Sequence, residues 1–422
     1  MDKLVIEGGK RLEGVVEISG AKNAALPILA ATFLTKEPSV IKNVPQVVDL
    51  MTMMRIMKSL GARIQYSGNT LHVDPSGVRN PVLTYKLVST MRGSICFLGP
   101  FLGRFGEAQI SFPGGCVIGP RPIDLHLKGV KALGAEISLA HGYVMAKAKK
   151  LKGARIFLGG AFGSSVLGTA NVMMAATLAS GRTVIDNAAC EPEVVDLGNF
   201  LKKMGAKIEG LGSPSIEIEG VKKLHGAQYS VIPDRIEAGT YVIASAMTKG
   251  DVTIKNMNPA MLGAMVDKLR DAGVRILEKN GHMRIRRERV LKPVQVTTLP
   301  YPGYPTDLQA QMMALMCIVP GISVITEKIY PERFMHVSEL NRMGANIMLE
   351  GNSAIVSGKK KLSGAPVMAS DLRASAALVL AGLVAEGTTE VSRVYHLDRG
   401  YENLVAKLQS LGAKIRREKD LR

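Results

Sequence analysis

Six stretches of the chain are apolar almost all round and of helical length: roughly 23–35, 92–103, 167–179, 236–248, 307–319 and 373–385. A helix without a polar face belongs inside a fold, so these six are predicted to be buried helices with sheets lying outside them. Each runs into a turn and then a β-branched strand. Examples are Ser180-Gly181-Arg182-Thr183-Val184-Ile185, Lys249-Gly250-Asp251-Val252-Thr253-Ile254, Pro320-Gly321-Ile322-Ser323-Val324 and Glu386-Gly387-Thr388-Thr389-Glu390-Val391. Gly106 takes the turn in the second repeat and Glu37 in the first.

A second signature follows, in which a helix ends, turns on Gly-Ala and enters a strand. It reads Leu60-Gly61-Ala62-Arg63-Ile64, Leu133-Gly134-Ala135-Glu136-Ile137 and Met204-Gly205-Ala206-Lys207-Ile208, then Ala272-Gly273-Val274-Arg275-Ile276, Met343-Gly344-Ala345-Asn346-Ile347 and Leu411-Gly412-Ala413-Lys414-Ile415. Glycine just past a helix end accommodates left-handed backbone, and the alternation after it is that of a strand. Successive glycines lie 68–73 residues apart, so six repeats of about 70 residues account for the 422-residue chain. Each reads helix, strand, helix, strand and further strand. One such repeat cannot bury its apolar helix, but three closing on one another can. The expectation is an α/β protein of two domains, each of three repeats. A single solenoid would need polar terminal caps, and no repeat looks like one.

Polar residues interrupt the apolar helices at one place, their starts. Counting back fourteen residues from each turn lands on Asn23, Arg92, Leu167, Ile236, Asp307 and Arg373, with Lys22, Ser164, Ser165, Asp234, Arg235, Thr306 and Asp371 beside them. Helix N-termini carry free N–H groups and attract anions. Asn23, Ser370 and Thr306 equally suit plain helix caps, Thr306-x-x-Gln309 reads as a capping box, and Asp307 and Asp371 suit a first turn. Lys22, Arg92 and Arg373 do not: a cation at a helix start is unfavourable unless an anion or carboxylate offsets it.

A formal net charge of +18 favours anionic partners without choosing among them. The basic runs Arg284-Ile285-Arg286-Arg287 and Lys414-Ile415-Arg416-Arg417 read as solvated strand ends. Cysteine spacing gives no zinc site and no disulfide framework. Cys96, Cys190 and Cys317 read as small core residues, whereas Cys116 lies in a loop rich in Gly and Pro, Phe112 to Pro122, where it is exposed to chemistry. His126 just beyond reads as a structural histidine or as half of a Cys–His pair. Asp398 reads as a turn partner of Arg399 or as a site residue. The N-terminal nine residues lack a signal-peptide core, and the apolar run 374–385 is too short to span a bilayer. A cytoplasmic location is expected, with no membrane span, cofactor or metal.

The segments Ser19 to Pro27, Met91-Arg92-Gly93-Ser94, Pro113-Gly114-Gly115-Cys116 through His126, Glu191-Pro192-Glu193-Val194-Val195-Asp196, Pro233 to Glu237, Tyr304 to Gln309, Arg333-Phe334-Met335-His336 and Asp398-Arg399-Gly400-Tyr401-Glu402 together resemble the UDP-N-acetylglucosamine 1-carboxyvinyltransferases of the enolpyruvyl transferase family. The resemblance runs the length of the chain, in order. It implies an inside-out α/β barrel in each domain, with residues 1–21 joining 233–422 and residues 22–232 forming the second domain. It implies transfer of the enolpyruvyl group of phosphoenolpyruvate to UDP-N-acetylglucosamine, the committed step toward the bacterial cell wall, in a cleft between the domains.

By the same resemblance, Lys22, Arg121 and Arg399 hold the phosphate of phosphoenolpyruvate, with Asn23, Arg333 and Arg373 adding to that site. Arg92, Arg121, Pro122, Ile123, Asp124 and Leu125 meet the sugar nucleotide, as do Ser164, Ser165, Val166 and the backbone at Ile329. Cys116 is the acid on a lid loop, and Asp307 takes the proton of the sugar 3-hydroxyl. Where such enzymes usually carry a lysine before small residues and a glycine, this chain reads Gly163-Ser164-Ser165-Val166-Leu167. One cation about 6 Å from Cys116, at an effective dielectric of about 20, contributes on the order of 3 kcal/mol, or about two pKa units. The empty enzyme is therefore expected to carry a partly ionised Cys116 that bound phosphoenolpyruvate restores to the thiol. Two rivals share parts of this pattern. A sister enzyme acting on shikimate 3-phosphate does not need the Gly-Gly-Cys loop. A basic scaffold for nucleic acid lacks an aromatic-basic stacking pattern here.

Overall fold

The computed structural model describes residues 2–89, 91–112, 122–279 and 281–420. These divide into two compact domains, 2–19 with 233–420 and 20–112 with 122–232. Each has a hydrophobic core of its own.

Among the described residues the second domain holds α1 (Lys22–Ala31), α2 (Val48–Ser59), α3 (Tyr85–Val88), α4 (Leu98–Phe105), α5 (Asp124–Ala132), α6 (Val166–Ala176) and α7 (Pro192–Lys203). The first holds α8 (Arg235–Met247), α9 (Gly263–Asp271), α10 (Gln309–Met316), α11 (Val337–Arg342), α12 (Leu372–Val384) and α13 (Leu404–Ser410). The six apolar stretches are the inner helices. In the first domain α8, α10 and α12 pack against one another, and every residue of α8 is buried. In the second, α1 and α6 pack with each other and with the 3-10 turn Arg92–Phe97 that leads into α4. The remaining long helices are amphipathic. On α2, Leu50, Met53, Met54 and Met57 face inward, the spacing of a half-buried helix. Each domain is an inside-out α/β barrel, with helices within and three four-stranded sheets around them.

The six sheets share one plan. In five of them the strand after the inner helix pairs antiparallel with the return strand of a hairpin; in the sixth, Thr388–Ser392 pairs with Asp2–Glu7 instead. On its other side it pairs parallel with a short strand, which precedes the helix in five sheets and in the remaining one, as Gln228–Ser230, follows it. Thus Val82–Leu83 runs parallel to Glu107–Ser111, Gln295–Thr297 to Gly321–Thr326, and Pro366–Met368 to Thr388–Ser392. These parallel edge strands, of two to five residues, are absent from the sequence reading because so short a run carries little periodicity. Three sheets take a strand from far along the sequence, the first by setting Gln228–Ser230 beside Ser39–Lys42. Glu13–Glu17 lies beside Asp251–Lys255 although the whole second domain intervenes, and N-terminal Asp2–Glu7 fills the sheet between Thr388–Ser392 and Lys414–Lys419.

All six signature glycines, from Gly61 to Gly412, are left-handed, with φ between +87° and +100°. The other turns are left-handed at Gly106, Gly181, Gly321 and Gly387, and differ in two repeats. Lys249, not Gly250, takes the left-handed position. Gly250 is needed instead for close approach, since a Cβ there would meet the Leu12 carbonyl oxygen at 2.7 Å. The first repeat turns at Glu37 with no left-handed residue. A second recurrent device escaped the pattern: Asn43, Asn187 and Asn256 end their strands at φ near +55°, a conformation asparagine tolerates well. Asn43 and Asn256 also donate their amides across to the neighbouring parallel strand's end, at Val231 O (2.8 Å) and Ile18 O (3.1 Å).

Candidate functional site

In the second domain the inner helix α1 opens on Lys22, whose side chain is nearly buried. Its Nζ donates to Asp49 Oδ2 at 3.1 Å, and the Asp49 side chain is only 7% exposed. The carboxylate that a cation at a helix start requires is thus supplied from the first turn of α2. Asn23 follows as the second helical residue, half-buried, and does not cap the helix. Arg92 opens the next inner helix and donates to the Pro122 carbonyl at 3.1 Å. That contact fixes the start of the 122–125 segment, in which Ile123 is buried and Asp124 begins α5. Leu125 lies against Gly160 and Gly168, which brings the 122–125 segment beside the hairpin of Gly159–Gly160 and Gly163–Ser164. Ser165 caps α6 by accepting from Gly168 N at 3.1 Å, and Val166 starts that helix. Cys116 and Arg121 lie outside the described residues.

His126 is buried, at 2% exposure. Asn171 fixes its ring: the amide oxygen accepts from Gly99 N (2.8 Å), so the amide nitrogen faces Ile95 O (3.0 Å) and His126 Nδ1 (2.9 Å). Nδ1 is therefore an acceptor and the proton sits on Nε2. Burial, helped by Arg92, pushes its pKa down to about 3. Such an imidazole is a neutral structural group and a feeble base, which favours the structural of its two sequence readings.

The first domain gathers a denser cluster. Asp307 sits in the 3-10 turn Thr306–Leu308 that leads into α10. Its two carboxylate oxygens accept from two different arginines, Oδ1 from Arg333 (3.0 Å) and Oδ2 from Arg373 (3.2 Å). Both arginine side chains are less than a tenth exposed, against 27% for Asp307. Burial works against the charge on Arg373, yet Asp307, with Tyr401 and Asp234, raises its pKa above the ordinary value. The guanidinium stacks over the Tyr401 ring at 5.5 Å, and the Tyr401 hydroxyl lies 2.9 Å from Thr240 Oγ1. Arg373 is the second residue of α12, whose cap is Asp371, accepting from Arg373 N (2.8 Å) and Ala374 N (3.1 Å).

The expected capping box at Thr306 and Gln309 does not form. Thr306 Oγ1 instead donates to Glu327 and accepts from Arg333, and α10 begins at Gln309 without a side-chain cap. Ile329 belongs to the same cluster, because its N–H donates to Glu327 Oε1 at 2.8 Å. Arg399 ends the 3-10 turn Val394–Arg399, and Gly400 after it abuts Leu372 at the start of α12, where a Cβ would meet the leucine at 2.7 Å. Arg399 is thereby brought to the end of α12 that carries Arg373. Asp398 pairs with Arg417, not with Arg399. His336, 2% exposed, completes this region, with a pKa pushed down to about 4 by burial.

Asp49, Glu327 and Tyr401 were given no role from the sequence. Asp49 at the start of a helix suits the dipole, and Thr326-Glu327-Lys328 looks like a solvated strand end. Only the fold shows that both acids are buried. Tyr401 belongs to the Asp398–Glu402 motif, but nothing local says that its ring lies under Arg373.

Comparison with known proteins places the chain in a family. The sequence profile of the EPSP synthase (3-phosphoshikimate 1-carboxyvinyltransferase) family matches residues 6–408. The chain is 56% identical over 415 residues to the UDP-N-acetylglucosamine 1-carboxyvinyltransferase of Geotalea uraniireducens, covering 98% of this chain and 99% of that one. It is 57% identical over 418 residues to the enzyme of the same name from Desulfosudis oleivorans, with 99% of each covered. Among solved structures, the enolpyruvyl transferase NikO from Streptomyces tendae superposes with a TM-score of 0.89 at 27% identity, over 99% of both chains. EPSP synthase from Acinetobacter baumannii shares the fold, with a TM-score of 0.75 at 17% identity over 99% of this chain and all of that one. With a family profile running nearly end to end and relatives more than half identical, the chain belongs to the EPSP synthase family of carboxyvinyl (enolpyruvyl) transferases.

Proposed function

We propose that this enzyme transfers the enolpyruvyl group of phosphoenolpyruvate to the 3-hydroxyl of UDP-N-acetylglucosamine and releases phosphate. The relatives that carry the name of that reaction support the acceptor. The observation that carries the chemistry is Asp307, held by two buried arginines at the start of an inner helix. In this reading Asp307 accepts the hydroxyl proton as the sugar oxygen attacks C2 of phosphoenolpyruvate, and Cys116 delivers a proton to C3. The tetrahedral adduct then loses a proton from C3 and expels phosphate. Lys22, Arg121 and Arg399 hold the phosphate group, with Asn23, Arg333 and Arg373 beside them; fixed cations of this kind act most strongly where water is excluded. Arg92, Arg121, Pro122 to Leu125, Ser164 to Val166 and the backbone at Ile329 take the sugar nucleotide.

The reaction commits UDP-N-acetylglucosamine to peptidoglycan in the cytoplasm and so serves cell shape and division. No helix of the described residues is long and apolar enough to cross a membrane. The test is phosphate release and product mass with UDP-N-acetylglucosamine and, separately, with shikimate 3-phosphate. Turnover with the second acceptor alone would replace the proposal by its rival, and tight retention of RNA on filters without turnover would favour the scaffold. Fosfomycin, an epoxide phosphonate, should add to Cys116, seen as one adduct by intact mass. The alkylation rate against pH should show an apparent pKa that rises when phosphoenolpyruvate is bound.

A further inference from the structure

Behind Asp307 lies a buried carboxylate with no part in the chemistry above. Glu327 is fully buried, at 0% exposure. It stands just past the strand Gly321–Thr326, and its backbone is locked to Asn352 by Glu327 N to Asn352 O at 2.8 Å. Its carboxylate accepts four hydrogen bonds. Oε1 accepts from Thr298 Oγ1 (2.6 Å), Ile329 N (2.8 Å) and Tyr330 N (3.0 Å), and Oε2 accepts from Thr306 Oγ1 (2.9 Å).

Elementary donor rules fix the direction of every bond in this chain. A guanidinium only donates, so Arg333, 3.0 Å from Thr306 Oγ1, uses that hydroxyl as an acceptor. The threonine proton must then point elsewhere, and Glu327, which only accepts when ionised, takes it. Thr298 repeats the logic, accepting from Lys328 N (2.9 Å) while donating to Glu327. The same Arg333 nitrogen holds Asp307 Oδ1 at 3.0 Å. One acid thus fixes both the turn that presents the Ile329 backbone and, through Thr306 and Arg333, the carboxylate of Asp307.

We infer that Glu327 is a positioning residue that couples the Ile329 turn to the orientation of the Asp307 carboxylate. This rests on the proposed reaction, in which Asp307 is the base and the Ile329 backbone meets the sugar nucleotide. The two arms of the network separate by mutation. Thr306→Val cuts only the arm to Arg333 and Asp307. Glu327→Gln keeps an oxygen for the Ile329 and Tyr330 amides but turns an NH2 toward Thr306, so the threonine proton loses its acceptor. Glu327→Ala removes both arms.

The experiment is steady-state kinetics of the three full-length variants with phosphoenolpyruvate and UDP-N-acetylglucosamine, beside amide hydrogen exchange at Ile329 and Tyr330. Small misplacements of a reacting group cost up to about a hundredfold in rate. For Thr306→Val and Glu327→Gln, kcat is expected to fall about tenfold or more, with KM for the sugar nucleotide within about threefold and exchange unchanged. For Glu327→Ala, kcat falls as far, KM rises about tenfold, and exchange at both amides accelerates. A kcat within twofold of wild type in both Thr306→Val and Glu327→Gln overturns the inference, as does a Glu327→Ala variant with unchanged exchange at the two amides. If the unmodified enzyme makes no enolpyruvyl product, the proposed reaction fails instead, and the exchange measurement still decides whether Glu327 fixes the turn.

Discussion

At the scale of single residues, Lys22 and Arg373, cations at helix starts, are each answered by a carboxylate, Asp49 and Asp307. Asp307 serves two cations at once, so Asp307→Asn removes a proton acceptor and leaves a single amide oxygen for two buried guanidinium groups. General-base contributions run to about 10²–10⁴-fold, and an uncompensated buried charge costs about 3–5 kcal/mol. The variant is therefore expected to lose at least about a hundredfold in kcat and to melt several degrees lower, as circular dichroism and phosphate release would register. His126 makes a prediction about acid. Its folded pKa, about 3, lies below the ordinary histidine value of 6.5. Between these two values the unfolded chain binds more protons than the folded one, so stability falls as pH drops through the window. The slope from this group approaches about 1.4 kcal/mol per pH unit. Melts of wild type and His126→Gln from pH 7 to pH 4 should show a shallower acid loss in the variant; parallel curves would contradict the assignment.

Among the elements, the repeated turns matter most, and not all are equally tolerant. Gly61 has a φ of +100°, and a Cβ there would stand 2.9 Å from the Gly77 carbonyl oxygen. Gly344, at +87°, has no neighbour closer than Ser363 Oγ at 3.9 Å. Left-handed backbone costs an L-residue roughly 1–2 kcal/mol. Gly344→Ala should lose about that much, and Gly61→Ala clearly more, because a backbone oxygen must also move; urea titrations of the pair would test the order. These turns were legible because glycine is nearly obligatory there, and so were the inner helices, because an all-apolar helix has only one place to go. What stayed hidden depends on distant partners. A two-residue strand such as Val82–Leu83 exists through its pairing with Glu107–Ser111. Thr306 looked like a cap because its sequence neighbours fit one, but Glu327 and Arg333 claim its hydroxyl from twenty-one and twenty-seven residues away. The cations at helix starts were readable as anomalies, while the carboxylates that answer them, Asp49 and Asp307, lie on other elements.

For the molecule as a whole, three of the six sheets depend on a strand that the chain supplies out of order. Asp2–Glu7 buries Leu4, Val5 and Ile6 to 3% exposure or less. Three such side chains are worth about 1.5–3 kcal/mol each, against a typical domain stability of about 5–15 kcal/mol. Deleting residues 2–7 should strip amide protection from the strands Thr388–Ser392 and Lys414–Lys419 while leaving that of 20–232 intact, as hydrogen exchange with mass spectrometry would reveal. The interleaving also bears on synthesis. The ribosome releases Asp2–Glu7 and Glu13–Glu17 first, yet their partners Asp251–Lys255, Thr388–Ser392 and Lys414–Lys419 emerge only after the entire second domain. The second domain, continuous in sequence, is free to fold on the nascent chain while these two strands wait with unsatisfied edges. Such strands invite pairing with other chains, and the charges that flank them, at Asp2, Lys3, Glu7, Glu13 and Glu17, stand where guards against that mispairing are needed.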